Sequence, residues 1–209
     1  MRIYMDFVAI DFETASSLYT SLCSMGICVV ENNKIVEQKE IFIKPVPFEF
    51  KEYNIKIHGI TPEMVMYKPN FAQYWGRICP YLNGKTVIAH NTSFDINALC
   101  ATLDYFKIPY PTCRYMCTVQ LSQKAYPELK SHRLNNLCEA LGVSFSHHHA
   151  YDDAYACACV LLRILEDYSL ESAEDLSECF DVSIGQLYPN CKAFSKKKTK
   201  KTLCPSENN

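Results

Sequence analysis

The order of apolar and polar residues predicts an α/β protein with a mixed central sheet, an N-terminal antiparallel hairpin and flanking helices. Three observations carry this prediction. CSMGICVV and KIVEQKEIFIKP are strand-like runs on either side of ENN, a turn-forming triplet, as in a β-hairpin. KTVIAH, residues 85–90, is a short run of the kind that forms a buried strand. After it, apolar residues recur at helical spacing in three separate stretches. A hairpin followed by strands alternating with helices argues for one layered α/β unit.

In chain order, residues 6–13 read as a strand. Residues 45–60, with Pro45 and Pro47, read as irregular. Thr61 as N-cap, Pro62 at the first helical position and Glu63 next mark a helix start. After the 85–90 strand, Asn91, Thr92 and Ser93 supply capping residues, and Ile96, Leu99, Cys100 and Leu103 fall on one helical face. A second amphipathic helix opens after Ser131, carries Leu134, Leu137, Cys138 and Leu141, and stops at Gly142. A third runs from about Asp153 to Tyr168 and is apolar on most sides, so it should be largely buried. Residues 171–191 are expected to form a short acidic helical extension, and residues 192–209 a lysine-rich, low-complexity, disordered tail.

At 209 residues and 48% hydrophobic, the chain can bury one good-sized core. A soluble, cytoplasmic protein is expected. The apolar run Phe7–Ile10 is too short for a signal peptide, and none approaches the ~20 residues that span a bilayer. Twelve cysteines lie between Cys23 and Cys204 without one C-x-x-C pair. That spacing suits reduced thiols packed as small apolar residues better than a zinc site. The net charge of −2 hides an asymmetry: six lysines face one acid from Lys192 onward, which leaves residues 1–191 with 15 basic against 22 acidic side chains. The body is therefore no broad basic surface for duplex nucleic acid. The tail either adds phosphate affinity, binds a partner or serves as a solubilising end.

Asp11 and Glu13 sit at the end of an apolar strand, where residues i and i+2 share a face about 6.6 Å apart. Such a pair belongs either on the solvent side of an edge strand or around a cation, which relieves the mutual rise in pKa. The abrupt end of the apolar run favours the cation. Asp95, in the first turn of a helix after a buried strand, is a third candidate ligand. In SHHHAYDDAYACAC, Asp153 opens the buried helix and is a fourth. The three histidines before it are a solvated turn, a zinc cluster, or one catalytic imidazole among bystanders.

DFET, HNTSFD and HHAYDDA, in this order, resemble the three motifs of the DEDDh 3′–5′ exonucleases. That family includes the proofreading subunits and domains of bacterial replicative DNA polymerases and has a ribonuclease H-like fold. IHGITPEM, residues 57–64, resembles the family's segment between the first two motifs. The resemblance spans about residues 6–168 and implies an exonuclease domain over 1–170. It implies Asp11, Glu13, Asp95 and Asp153 as ligands of two divalent ions, Mg²⁺ or Mn²⁺. A histidine followed by four residues and an aspartate selects His148 as the base. The sister group has a tyrosine at the position of His149, which makes His149 the runner-up.

By the same resemblance His58, Gly59 and Ile60 contact the last base or sugar, the alternative being a plain turn into the next helix; Phe12, beside the acids, is either core or a substrate contact, and Thr14 is a further substrate-binding candidate. The implied reaction releases nucleoside 5′-monophosphates from a single-stranded or frayed 3′ end. The implied partners are that strand and a DNA polymerase or other replication or repair protein; no membrane is expected. Two other readings stay open: an RNA-trimming enzyme, and a non-catalytic nucleic-acid-binding module on the same fold.

Overall fold

The computed structural model describes residues 4–143 and 149–189. The chain begins as an antiparallel meander of β1 (Phe7–Thr14), β2 (Leu22–Glu31) and β3 (Lys34–Phe42). Asn32 and Asn33 turn β2 into β3 with φ of 52° and 58°, the left-handed pair that a two-residue hairpin turn requires. The ENN triplet was legible for this reason. Two short helices, α1 (Glu52–His58) and α2 (Pro62–Val65), precede α3 (Phe71–Leu82), β4 (Thr86–Ala89) and α4 (Thr92–Phe106). There follow β5 (Cys113–Cys117), α5 (Thr118–Ala125), α6 (Leu134–Leu141), α7 (Ala150–Asp167), α8 (Ala173–Phe180) and β6 (Gly185–Leu187).

The sheet order is β3-β2-β1-β4-β5-β6. β4 runs parallel to β1 and β5 parallel to β4, whereas β6 is antiparallel to β5. The mixed sheet flanked by helices is the predicted one. Each face carries its own core, and β1 shows how the sequence divides them. Phe7 and Ala9 point into one core with α5 to α8, while Val8, Ile10 and Phe12 point into the other with α3 and α4. Alternation on a central strand thus places Asp11 and Glu13 on the α7 face.

Four differences from the sequence reading have local causes. Residues 45–60 contain α1, whose Ile55 and Ile57 are too sparse to show a period. The helix begun at Pro62 lasts one turn, because Pro69 disfavours helical backbone at the preceding residue. β5 has only five residues and runs straight into α5, so neither period repeats long enough to be read. Residues 171–191 are more than a helical extension: Leu176, Phe180 and Val182 join the α7 core, and β6 adds a sixth strand. No described helix is long and apolar enough to cross a membrane.

Candidate active site

Asp11 and Glu13 stand at the C-terminal end of β1, and Asp153 lies in the first turn of α7. One carboxylate oxygen from each lies within 4.8 Å of the others. Sequence distance is bridged by one packing event. Gly26 is the cross-strand partner of Asp11, so it shares the face over which α7 crosses. A β-carbon there would lie 1.7 Å from the carbonyl oxygen of Ala150, the first residue of α7. Only glycine lets the helix start come down on the strand, and three residues later that helix delivers Asp153 to Asp11.

Asp95 arrives from the other side of β1, in the first turn of α4 after parallel β4. Its carboxylate accepts the backbone N–H of Phe12 at 3.1 Å and is 1% exposed. That bond anchors it beneath the strand residue between Asp11 and Glu13.

The four acids perturb one another. Burial, then the charges of Asp95, Glu13 and Asp153, push the Asp11 carboxyl well above its ordinary range. Burial also raises Asp95, with Glu13 and Asp153 adding to it, against the downward pull of the Phe12 N–H. Glu13 is pushed up to about 8 by burial, then by Asp153 and Glu40. Glu40, held by the Ser24 hydroxyl at 2.8 Å, is in register with Gly26 and escaped the sequence reading. Carboxylates so placed are stable as anions only with positive charge between them. A hard divalent cation fits this all-oxygen donor set. Among the described residues no cysteine joins such a group, and the ten described cysteines are free thiols.

The histidine prediction divides. His148 lies outside the described residues. His149 is the exposed N-cap of α7, and its carbonyl accepts the N–H groups of Asp152 and Asp153 at 2.9 and 3.0 Å.

Most of the side chains expected to contact substrate are buried. Phe12 is 2% exposed and packs against Phe71 in the α3–α4 core, because the alternation that exposes its neighbours turns it inward. His58 is buried: its Nε2–H donates to the Thr14 carbonyl at 3.2 Å, and its Nδ1 accepts the Ile60 N–H at 3.0 Å. Burial pushes its pKa down, consistent with a neutral ring spanning two backbone groups. Ile60 is 1% exposed, packed with Ala15, Cys23 and Val65. Thr14 is also buried, and its carbonyl takes a second bond from Asn54 at 2.8 Å. Of these five residues only Gly59 is exposed, at φ 72° where α1 ends. The HGI triplet forms the turn at the end of α1, which directs its two side chains inward.

Two aromatic rings lie next to the acids. Tyr19, 44% exposed, lies with its ring centroid 5.8 Å from that of Phe94, the neighbour of Asp95. A tyrosine in a loop has no periodicity to single it out. Gly26, by contrast, carried a readable signal, since an isolated glycine inside a strand marks a bulge or a close backbone approach.

The sequence profile of the exonuclease family (RNase T type) matches residues 8–161. Curated relatives include the PolC-type DNA polymerase III of Halalkalibacterium halodurans, 30% identical over 165 residues, or 78% of this chain. The PolC-type polymerase III of Bacillus subtilis (strain 168) is 29% identical over 168 residues, or 77% of this chain. The chain spans 11% of the length of each. Among solved structures, exonuclease X in complex with 5′ overhanging duplex DNA aligns with a TM-score of 0.68 at 23% identity, over 83% of this chain and 99% of that one. The nuclease domain of 3′hExo, a DEDDh family member bound to rAMP, aligns at 0.70 and 16% identity, over 88% and 98%. These two likenesses establish the fold.

Proposed function

The chain belongs to the exonuclease family, on a ribonuclease H-like fold, and we propose that it is a metal-dependent 3′–5′ exonuclease. The observation that carries this reading is the meeting of Asp11, Glu13 and Asp153 within 4.8 Å, above a buried Asp95. Asp11, Glu13 and Asp153 would hold one divalent cation, Mg²⁺ or Mn²⁺, and Asp95 with Asp11 a second. When bound, such ions activate a water and stabilise the departing 3′ oxygen.

The chain's own groups do the rest. Asp95 is oriented by the Phe12 N–H, so its carboxyl is aimed before substrate arrives. His148 would take the proton of the attacking water, the role the family resemblance gives a histidine five residues before Asp153. Tyr19 and Phe94 offer a sequence-tolerant stacking face for the terminal bases. Likeness to PolC-type polymerases favours a DNA end, frayed or single-stranded, and a polymerase context.

The test is a 5′-labelled oligonucleotide incubated with Mg²⁺, with EDTA as control. A ladder of shortened products that disappears with EDTA is expected. An undigested strand at every metal concentration would leave only a binding module. Running single-stranded DNA, mismatched duplex DNA and RNA side by side ranks the substrates.

A further inference from the structure

The body of the protein is acidic, yet its α5–α6 segment is not. Between Thr118 and Cys138 the one acid is Glu128, while Lys124, Lys130 and Arg133 are all exposed. This segment is tied to the acidic site through His90. Ala9 pairs with Ile88 in parallel register, so His90 stands level with Asp11 on the adjoining strand. Ile88 faces the α7 core, and His90, one residue past the end of β4, bonds to Thr118, which also contacts Cys157 of α7.

The His90 ring makes two bonds that both lead to α5–α6. Nε2 lies 3.0 Å from the His132 carbonyl and Nδ1 lies 2.9 Å from the Thr118 hydroxyl. A carbonyl only accepts, so Nε2 carries the proton and Nδ1 accepts from Thr118. Burial pushes the pKa of His90 down to about 4, which keeps one proton on the ring. His132 is pinned in turn, its Nδ1 3.1 Å from the Ser122 hydroxyl. Thr118 also contacts the Cys157 thiol at 3.6 Å, a group that feels the charges of Asp95 and Asp11. A polar chain therefore runs from Cys157, under α7, through Thr118 and His90 to the turn that carries the cations.

We propose that His90 is a positioning residue, fastening the α5–α6 turn beside the acids so that Lys130 and Arg133 bind phosphates of the substrate strand upstream of the scissile bond. This rests on the nuclease reading above, and deepens it by naming the strand-binding surface. A −7 body needs such a local cationic track, since long-range attraction to the strand is absent.

Binding of a fluorescent single-stranded oligonucleotide across a salt series tests it, in the Asp11→Asn background where the strand survives. Each lost phosphate contact lowers the slope of log affinity on log salt by about 0.7 for single strands. Lys130→Ala and Arg133→Ala should each lower it by that amount. Lys34→Ala removes the same charge at the opposite end of the sheet and should not. His90→Ala should lower the slope about as much as the Lys130/Arg133 pair, with no further loss when all three are combined. His90→Gln, which keeps a donor for the His132 carbonyl, should restore part of it.

An unchanged slope in folded His90→Ala, or full additivity with the pair, would overturn the positioning role. A Lys130→Ala slope equal to that of Lys34→Ala would overturn the cationic track, and that comparison decides alone if His90→Ala does not fold. A parent protein that cleaves nothing, with these slopes as expected, would sink the nuclease reading and leave the strand-binding surface standing.

Discussion

The carbonyl oxygen of Ala150 occupies the space where residue 26 would carry its β-carbon, a separation of 1.7 Å for an added carbon at Gly26. Ala150 starts the helix of Asp153 and Gly26 faces Asp11 across β1 and β2, so this contact sets how closely the acids approach.

Gly26→Ala should therefore act on the site through the helix. The added methyl meets backbone, which cannot swing aside, so α7 must lift at its start. Overpacking of this kind costs about 1–3 kcal/mol. The larger effect should be a loss of divalent-cation affinity, about tenfold or more, a scale typical of disturbed ligand support. Calorimetric titration with Mn²⁺ checks it; unchanged affinity in a folded variant would refute the role of the close approach.

Asp11→Asn should separate stability from activity. Removing one charge from the buried cluster relieves repulsion on Asp95, Glu13 and Asp153, so the metal-free variant should melt higher than the parent at pH 8. Its cation-induced rise in Tm should vanish, and cleavage should fall about 10³-fold or more, as loss of several kcal/mol of metal assistance implies. Scanning fluorimetry with and without Mg²⁺ reads both effects.

The pH dependence follows from Glu13, whose carboxyl is pushed from its ordinary 4.5 up to about 8 in the folded chain. A group that holds its proton better when folded stabilises the fold fully below about 4.5, and that contribution is lost as pH rises through about 8. The metal-free protein should thus lose stability as pH climbs across this window. Cations bind the deprotonated acids, so the rise in Tm with Mg²⁺ should grow with pH over the same interval. A Tm shift independent of pH would contradict the assignment.

His58→Ala should be a stability variant. It leaves the buried Ile60 N–H without its partner and removes one of two bonds to the Thr14 carbonyl, a loss of roughly 1–3 kcal/mol. Urea denaturation should register it. A change in KM with no change in stability would instead restore His58 to the substrate pocket.

His148→Ala should lower the cleavage rate by about 10²–10⁴, the usual worth of a general base. His149→Ala removes an exposed side chain and leaves the cap intact, because the cap is the His149 carbonyl. A reversal of these two effects would move the catalytic imidazole by one residue.

Much of this was written in local pattern. The hairpin was visible because Asn32 and Asn33 tolerate left-handed backbone, and β1 because its apolar run is broken at Asp11. α4, α6 and α7 could be read from helical spacing sustained over two turns or more. β5 and β6, at five and three residues, are too short for any period to emerge, and only pairing with a neighbour makes them strands.

By itself, the amino-acid order determined the hairpin, the central strand β1 and the longer helices, and it marked four acids as candidate ligands. Tertiary structure decided which of the marked residues face one another. It brought Asp153 over Asp11 through the bare backbone of Gly26, and it turned His58 and Ile60 inward. The reason is range: propensity, alternation and turn chemistry act between near neighbours, so they can be read along the chain. The seating of one surface on another depends on shapes contributed by residues more than a hundred positions apart, as Gly26 and Ala150 are.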